Sequence, residues 1–139
     1  MRLDDKDHKI INVLKKNSRE PIREIAKKTK LRPSTVHVRI RKLVAEGVID
    51  KFTLKLNNEL MDEGFIAIIL LNTDNLDPKV ISNKQVKEIF GITGEYDILM
   101  KAKFKGVSEF NDFVLALRKL YNIKQTLSMV VTANIKEDI

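Results

Sequence analysis

Two prolines, Pro21 and Pro33, constrain the first fifty residues more than any other feature. Proline lacks a backbone N–H and fixes φ near −65°, so a helix accepts it in its first turn and rejects it further in. Ile22, Ile25 and Ala26 follow Pro21 at helical spacing, and Val36, Ile40, Leu43 and Val44 follow Pro33 and Ser34 until Gly47 ends the run. Only Thr29 to Arg32 separate the two segments. An earlier helix is predicted from Asp4, whose carboxylate can cap it with Asp7 three residues on. Ile10, Ile11 and Leu14 share one face of it before Asn17 and Ser18 end it. Two short helices joined by so tight a turn, the second rich in cations, have the outline of a helix-turn-helix.

On a helical wheel the third helix gathers Val36, Ile40 and Leu43 on one side, while Ser34, Val38, Arg41 and Ala45 point the other way, flanked by Thr35, His37 and Lys42. No acid appears before Glu46. Hydroxyls, an imidazole, a small apolar group and cations are the groups that read base edges and hold phosphates. Arg39 lies nearer the apolar flank, which suits a phosphate contact or an internal salt bridge equally. A lone imidazole does not make a metal site, so His37 is not expected to ligate one. The candidate DNA-contacting set is therefore Arg32, Ser34, Thr35, His37, Val38, Arg39, Arg41 and Lys42. After Gly47, the alternating run Val48 to Leu56 reads as a strand, either a wing or the first strand of a linker.

Charge divides the chain in the same place. Residues 1–56 carry 16 Lys and Arg against 7 Asp and Glu, whereas residues 57–139 carry 10 against 12. A basic module that meets a polyanion, followed by a near-neutral module of another purpose, fits this asymmetry, and taken alone the charge fits a solvated lysine-rich surface about as well. The expected division is 1–56 and 57–139. With no cysteine among 139 residues, disulfides, thiolate zinc sites, iron–sulfur clusters and a cysteine nucleophile are excluded. The longest apolar run, Phe65 to Leu71, is too short to span a bilayer, and the charged opening residues form no export signal. The expected location is the cytoplasm, without membrane contact.

In the second module, Phe65 to Leu71 reads as a strand buried on both faces. The Asn72–Asn83 connection has room for a short helix from Pro78. Val86 to Ile92 and Tyr96 to Phe104 follow as strands joined by the turn Thr93-Gly94-Glu95. Ser108 to Leu120 is amphipathic, with Phe110, Phe113, Val114, Leu117 and Leu120 on its buried face, and Thr126 to Ile135 is a last strand. The order β-α-β-β-α-β is that of a ferredoxin-like sandwich, so the expected class is α+β. The Gly94 turn needs no ligand to explain it, since a hairpin needs a glycine. A turn displaying backbone amides and the Asp97 carboxylate could equally hold the two charged ends of an amino acid.

Leu3-Asp4-x-x-Asp7-x-x-Ile10, Ile25-Ala26 and Pro33-Ser34-Thr35-Val36-x-x-Arg39-Ile40-x-Lys42-Leu43-x-x-Glu46-Gly47-Val48-Ile49-x-x-Phe52-Thr53 together resemble the DNA-binding half of the Lrp/AsnC, or feast/famine, family of transcription regulators. Thr93-Gly94-Glu95-Tyr96-Asp97 and Thr126-x-Ser128-x-Val130-Val131 resemble the same family's effector domain. The resemblance covers nearly the whole chain. It implies a winged helix-turn-helix on a ferredoxin-like domain, with homodimers pairing through the sheets of the second domains and often assembling into octamers. It also implies an amino acid or related metabolite bound between dimers near Gly94, Tyr96, Asp97, Thr126 and Ser128. A two-fold dimer would present two copies of the third helix to a pseudo-palindromic site in double-stranded DNA. No cofactor is implied.

The chain departs from that family at three points. Lys30 stands where a glycine often sits, at a cost of roughly 1 kcal/mol if the turn is left-handed. Arg32 stands where a Ser-like cap usually precedes the proline. The Asn72–Asn83 connection is short where the family has a longer helix. Both substituted cations are expected to add phosphate contacts at the mouth of the third helix.

RNA-recognition and KH domains match poorly, since the third module strand lacks stacking aromatics and Gly91-Ile92-Thr93-Gly94 has no internal cation. The enzymatic alternative is a tetrapyrrole (siroheme-type) decarboxylase subunit, which resembles the same family. Haem-type chemistry favours a histidine in the second module, and both histidines, His8 and His37, lie in the first. A regulator without any small-molecule effector is the remaining alternative. A non-enzymatic regulator is the expected reading.

Overall fold

The structure, a computed structural model, describes residues 1–121, 123 and 125–139. The chain forms two compact units, Met1–Leu54 and Lys55–Ile139. No helix of the described residues is long and apolar enough to cross a membrane.

The first unit holds helices α1 (Asp5–Lys16), α2 (Ile22–Thr29) and α3 (Pro33–Ala45). Asp4 caps α1 by accepting from the Asp7 N–H at 2.9 Å, while the Asp7 carboxylate accepts from the Asp4 N–H at 3.1 Å, a reciprocal capping box. Ile10, Ile25, Ala26, Val36 and Leu43 form the buried core, with Leu3, Ile22, Leu31, Ile40 and Ile49 packed around it. Arg39 reaches from α3 to the capping residues: its Nη1 donates to both Asp4 carboxylate oxygens at 2.7 Å and to Asp7 Oδ1 at 3.1 Å. Asp7 is almost wholly buried, so this cation supplies the pairing that a charge taken out of water requires. The same two carboxylates thus cap one helix and clamp another.

α2 ends at Lys30, whose backbone is left-handed with φ 58°. The Thr29 hydroxyl donates to the Ile25 carbonyl at 2.7 Å just before that turn, so its buried oxygen is satisfied. α3 ends at Glu46, and Gly47, at φ +74°, turns the chain back so that Val48 and Ile49 N–H groups donate to the Leu43 carbonyl. The strand expected over Val48–Leu56 does not form: these residues carry no ladder. Alternation supplies two faces, but a strand also needs a neighbouring backbone, and the described chain brings none alongside.

The second unit is an antiparallel sheet in the order β2-β3-β1-β4, built from β1 (Phe65–Asn72), β2 (Val86–Gly91), β3 (Ile98–Phe104) and β4 (Gln125–Val130). The short α4 (Pro78–Ile81) and α5 (Val107–Lys119) complete the β-α-β-β-α-β order of a ferredoxin-like domain. Directly opposed residues of antiparallel strands share a face. Ala67, Ile69 and Leu71 of β1 therefore line up with Met100 and Ala102 of β3 under α5 residues Phe113 and Leu117. Phe104 packs its ring 5.4 Å from Phe113 and 5.8 Å from Phe110.

Three expectations change here. β1 is not buried on both faces, since the helices cover only one and Ile68 and Leu70 are half-exposed on the other. β3 starts at Ile98, not Tyr96, because the Ile92 N–H to Asp97 carbonyl bond at 2.8 Å closes the turn first. β4 stops at Val130 instead of Ile135, and the segment beyond it crosses the open face. There Glu137 meets Lys101 at 3.0 Å and Lys103 at 3.1 Å, and its carboxyl is held down at about 2, first by the Lys101 hydrogen bond.

The Arg39 hydrogen bond likewise lowers the Asp4 carboxyl to about 2. A depressed carboxyl contributes stability that is full above its unfolded value near 3.8 and is lost as pH falls through the folded value. The first unit should therefore lose stability between about pH 4 and 2. In Asp4→Asn, which retains a capping oxygen but no charge, urea unfolding across that window should lack this component. Replacing Lys30 with Gly should stabilise the same unit by about 0.5–1 kcal/mol by relieving the left-handed lysine, with no such gain for Lys30→Ala.

Candidate functional site

α3 carries the candidate nucleic-acid face. Its apolar stripe is spent on the core, where Val36 and Leu43 are fully buried. On the other side Ser34, His37, Val38, Arg41 and Lys42 are exposed, and Thr35 is half-buried beside them. Among the described residues, the side chains of Arg32, Ser34, His37, Arg41 and Lys42 have no hydrogen-bond or ion-pair partner in the protein. Val38, 62% exposed in the middle of this polar face, is the kind of small apolar group that packs on a thymine methyl. Arg32 occupies the N-cap without offering a cap bond, so its guanidinium is available while the first amides of α3 remain open. Lys30 stands two residues before it, at the left-handed turn.

Arg39 does not belong to this face. Its guanidinium is three-quarters buried and engaged by Asp4 and Asp7, so the expectation of a DNA contact is corrected to an internal clamp. The cations of α2 behave differently again: Lys28 pairs with Glu20 at 2.9 Å and Lys27 with Glu24 at 3.4 Å. The Lys28 hydrogen bond lowers the Glu20 carboxyl. Among the described residues Arg23 of α2 is exposed and unpaired as well, so the free cations of the helix-turn-helix are Arg23 and those on and just before α3.

The candidate effector residues meet at one end of the sheet. Leu71 of β1 lies opposite Ile98 of β3 on one side and Thr126 of β4 on the other, which brings the β2–β3 turn and the start of β4 together. Gly94, at φ +118°, lets the turn reverse where a side chain would be strained. Gly94 and Asp97 are exposed, Tyr96 half-buried. Among the described residues, the N–H groups of Thr93, Gly94, Glu95 and Tyr96 find no protein acceptor. Thr126 and Ser128 lie opposite Leu71 and Ile69, on the helix-covered face. Ser128 is one pair further in, and its Oγ is buried with no partner among the described residues.

Sequence reasoning missed two groups. Asn72, the last residue of β1, ties the turn to β4 by its side-chain amide. The Lys101, Lys103, Asn58 and Glu137 cluster gathers on the open sheet face. The alternation of Lys101 and Lys103 on one face of a strand was the available signal for the second. The first had none, because an asparagine closing an apolar run reads only as a turn residue.

Known proteins place these observations. Residues 3–50 match the winged helix-turn-helix DNA-binding family, and residues 71–139 match the Lrp/AsnC ligand binding domain. HTH-type transcriptional regulator FL11 of Pyrococcus furiosus is 35% identical over 97% of this chain and 93% of its own length. An uncharacterized HTH-type transcriptional regulator of Pyrococcus abyssi is 38% identical over 98% of this chain and 96% of its own. Among solved structures, the transcriptional regulator NMB0573 of Neisseria meningitidis in complex with L-Met is similar at a TM-score of 0.89 with 27% identity, covering 99% of this chain and 94% of that one. LrpC of B. subtilis is similar at 0.88 with 26% identity, covering 98% and 99%. The order of the two modules and the overall fold agree with these relatives, and the chain belongs to the Lrp/AsnC family of DNA-binding transcriptional regulators.

Proposed function

We propose that the chain reads a specific double-stranded DNA site through α3 and answers to an amino acid or related small metabolite through its second unit. The observation that carries the first part is the outward face of α3, from Ser34 to Lys42, which holds no acid and whose polar side chains have no protein partners among the described residues. Groups left unpaired on a rigid helix are pre-organised for an outside partner, and these are the types that meet base edges and phosphates. Ser34, Thr35, His37, Val38 and Arg41 are the base-reading set. Arg32 and Lys42 grip phosphate.

A single small helix reads few bases, and a two-fold dimer doubles the site. The open face of the sheet supports this, since Phe90, Leu127 and Met129 are each exposed by 43% or more beside the half-exposed Ile68, Leu70 and Leu99. Homodimers pairing by this face, assembling further into octamers, would bind a pseudo-palindromic promoter site in the cytoplasm. The effector reading is supported by the four unpartnered amides of the 93–96 turn and the exposed Asp97 carboxylate, which suit the carboxylate and ammonium of an amino acid. Thr126 and Ser128 border that end of the sheet. Coupling then works through the assembly: a ligand that shifts DNA affinity must itself bind more tightly or more weakly when DNA is present.

Binding is best tested by salt titration on a duplex carrying the chain's own upstream region, beside a scrambled duplex of equal length. The upstream duplex should bind more tightly, and both should show a steep negative slope of log affinity on log salt. Lys42→Ala or Arg32→Ser removes one phosphate contact from each protomer of the dimer, so it should reduce that slope by about 1.8 and weaken both duplexes alike. Arg41→Ala should cost about 1–3 kcal/mol per half-site on the upstream duplex and far less on the scrambled one. Equal weak binding to both duplexes would sink the sequence-specific reading.

A further inference from the structure

One side-chain amide organises the sheet end described above. Asn72 Oδ1 accepts from the Asp97 N–H at 2.8 Å, and its Nδ2 donates to the Glu95 carbonyl at 3.0 Å and to Gln125 Oε1 at 3.0 Å. One acceptor and two donors are thereby used at once, which fixes the amide's orientation. The backbone alone holds only the base of the turn, through Ile92 N–H to the Asp97 carbonyl and Asp97 N–H to the Leu71 carbonyl. Among the described residues, no other hydrogen bond reaches the Glu95 carbonyl.

A trans peptide points its C=O and its N–H in opposite directions. Asn72 draws the Glu95 carbonyl inward, and the Tyr96 N–H of the same peptide plane must then face outward, where it has no acceptor among the described residues. Resting on the reading of this turn as the effector site, we propose that Asn72 is its positioning residue. By holding the Glu95 carbonyl, it aims the Tyr96 N–H at the carboxylate of a bound amino acid. Asn72 does not touch the ligand; it sets the plane of the peptide that does. Aspartate at this position keeps the bond from the Asp97 N–H but has no hydrogen for the Glu95 carbonyl and repels it, so it turns that plane without removing bulk.

The test compares the full-length wild type, Asn72→Asp and Gln125→Ala. L-methionine and then the other proteinogenic amino acids are titrated by calorimetry, and exchange of the Glu95 to Asp97 amides with water is followed by NMR. Asn72→Asp should weaken the amino acid that binds wild type by roughly tenfold to a hundredfold, as expected for a lost hydrogen bond to a charged group. It should leave ligand-free DNA affinity within about twofold, a change small against any lost contact. Gln125→Ala, which spares the Glu95 bond, should bind nearly as wild type. Unaltered ligand affinity in Asn72→Asp overturns the proposal. If no amino acid binds wild type, the effector reading fails on its own, and the amide exchange decides the rest. A changed Tyr96 amide in Asn72→Asp with an undisturbed sheet still assigns Asn72 its role, and an unchanged one removes it.

Discussion

Asp7 is 3% exposed and charged, and a carboxylate so placed persists only with a cation at hand. Arg39 is that cation, and meeting it fixes how α3 rolls about its own axis. With Arg39 turned toward the N-terminus of α1, Val36 and Leu43 must face the core, and the helix has one remaining side for Ser34, Val38 and Arg41. The ion pair and the apolar stripe thus set the same roll, which turns Ser34, Val38 and Arg41 outward. Separating Arg39 from Asp7 would leave a buried carboxylate uncompensated, so the contact disfavours any roll of α3 that parts them.

The three helices were legible in the sequence because their signals are local. Pro33 in the first turn of α3, Pro21 at the N-cap of α2 instead of the first-turn place expected for it, the Asp4 and Asp7 box and the turn at Gly47 act within a few residues of where they stand. The sheet was legible for a different reason, since Phe65 to Leu71 is an apolar run of strand length, although its burial on both faces was misread, and Met100, Ala102 and Phe104 alternate against Lys101 and Lys103. What could not be read was pairing over distance. Val48 to Leu56 has a strand's alternation without a partner backbone, and β4 ends at Val130 because the chain leaves the ladder although its apolar alternation continues. Arg39 was ambiguous for the same reason: its position on the wheel was known, but not that Asp4 and Asp7 lie against it. At the candidate effector end the turn itself was legible from Gly94, whereas Asn72 was not, since its three partners lie 23 to 53 residues away.

The two units divide electrostatic labour. In the first, Glu24 and Glu20 pair Lys27 and Lys28 of α2, while Arg32, Arg41 and Lys42 on and before α3 stay unpaired among the described residues. In the second, Glu137 and Glu88 together balance Lys101 and Lys103 where they project from the open sheet face among apolar neighbours. One arrangement leaves charge available to an outside polyanion, and the other cancels it within the unit. A long-range attraction that steers the chain to nucleic acid therefore acts on the module that can read it.

The residues of α3 that hold the fold and those that face outward are different residues. Val36, Leu43 and Arg39 are committed to the core and the clamp, while Ser34, His37 and Val38 touch little of the protein. Exposed positions of this kind change stability by no more than about 0.5 kcal/mol when substituted. With the outward face reading DNA as proposed, duplicated copies of such a gene can drift toward different promoters through successive substitutions on one helix face, each usually leaving the fold intact. A large set of paralogous regulators is what a scaffold with this separation makes accessible to evolution.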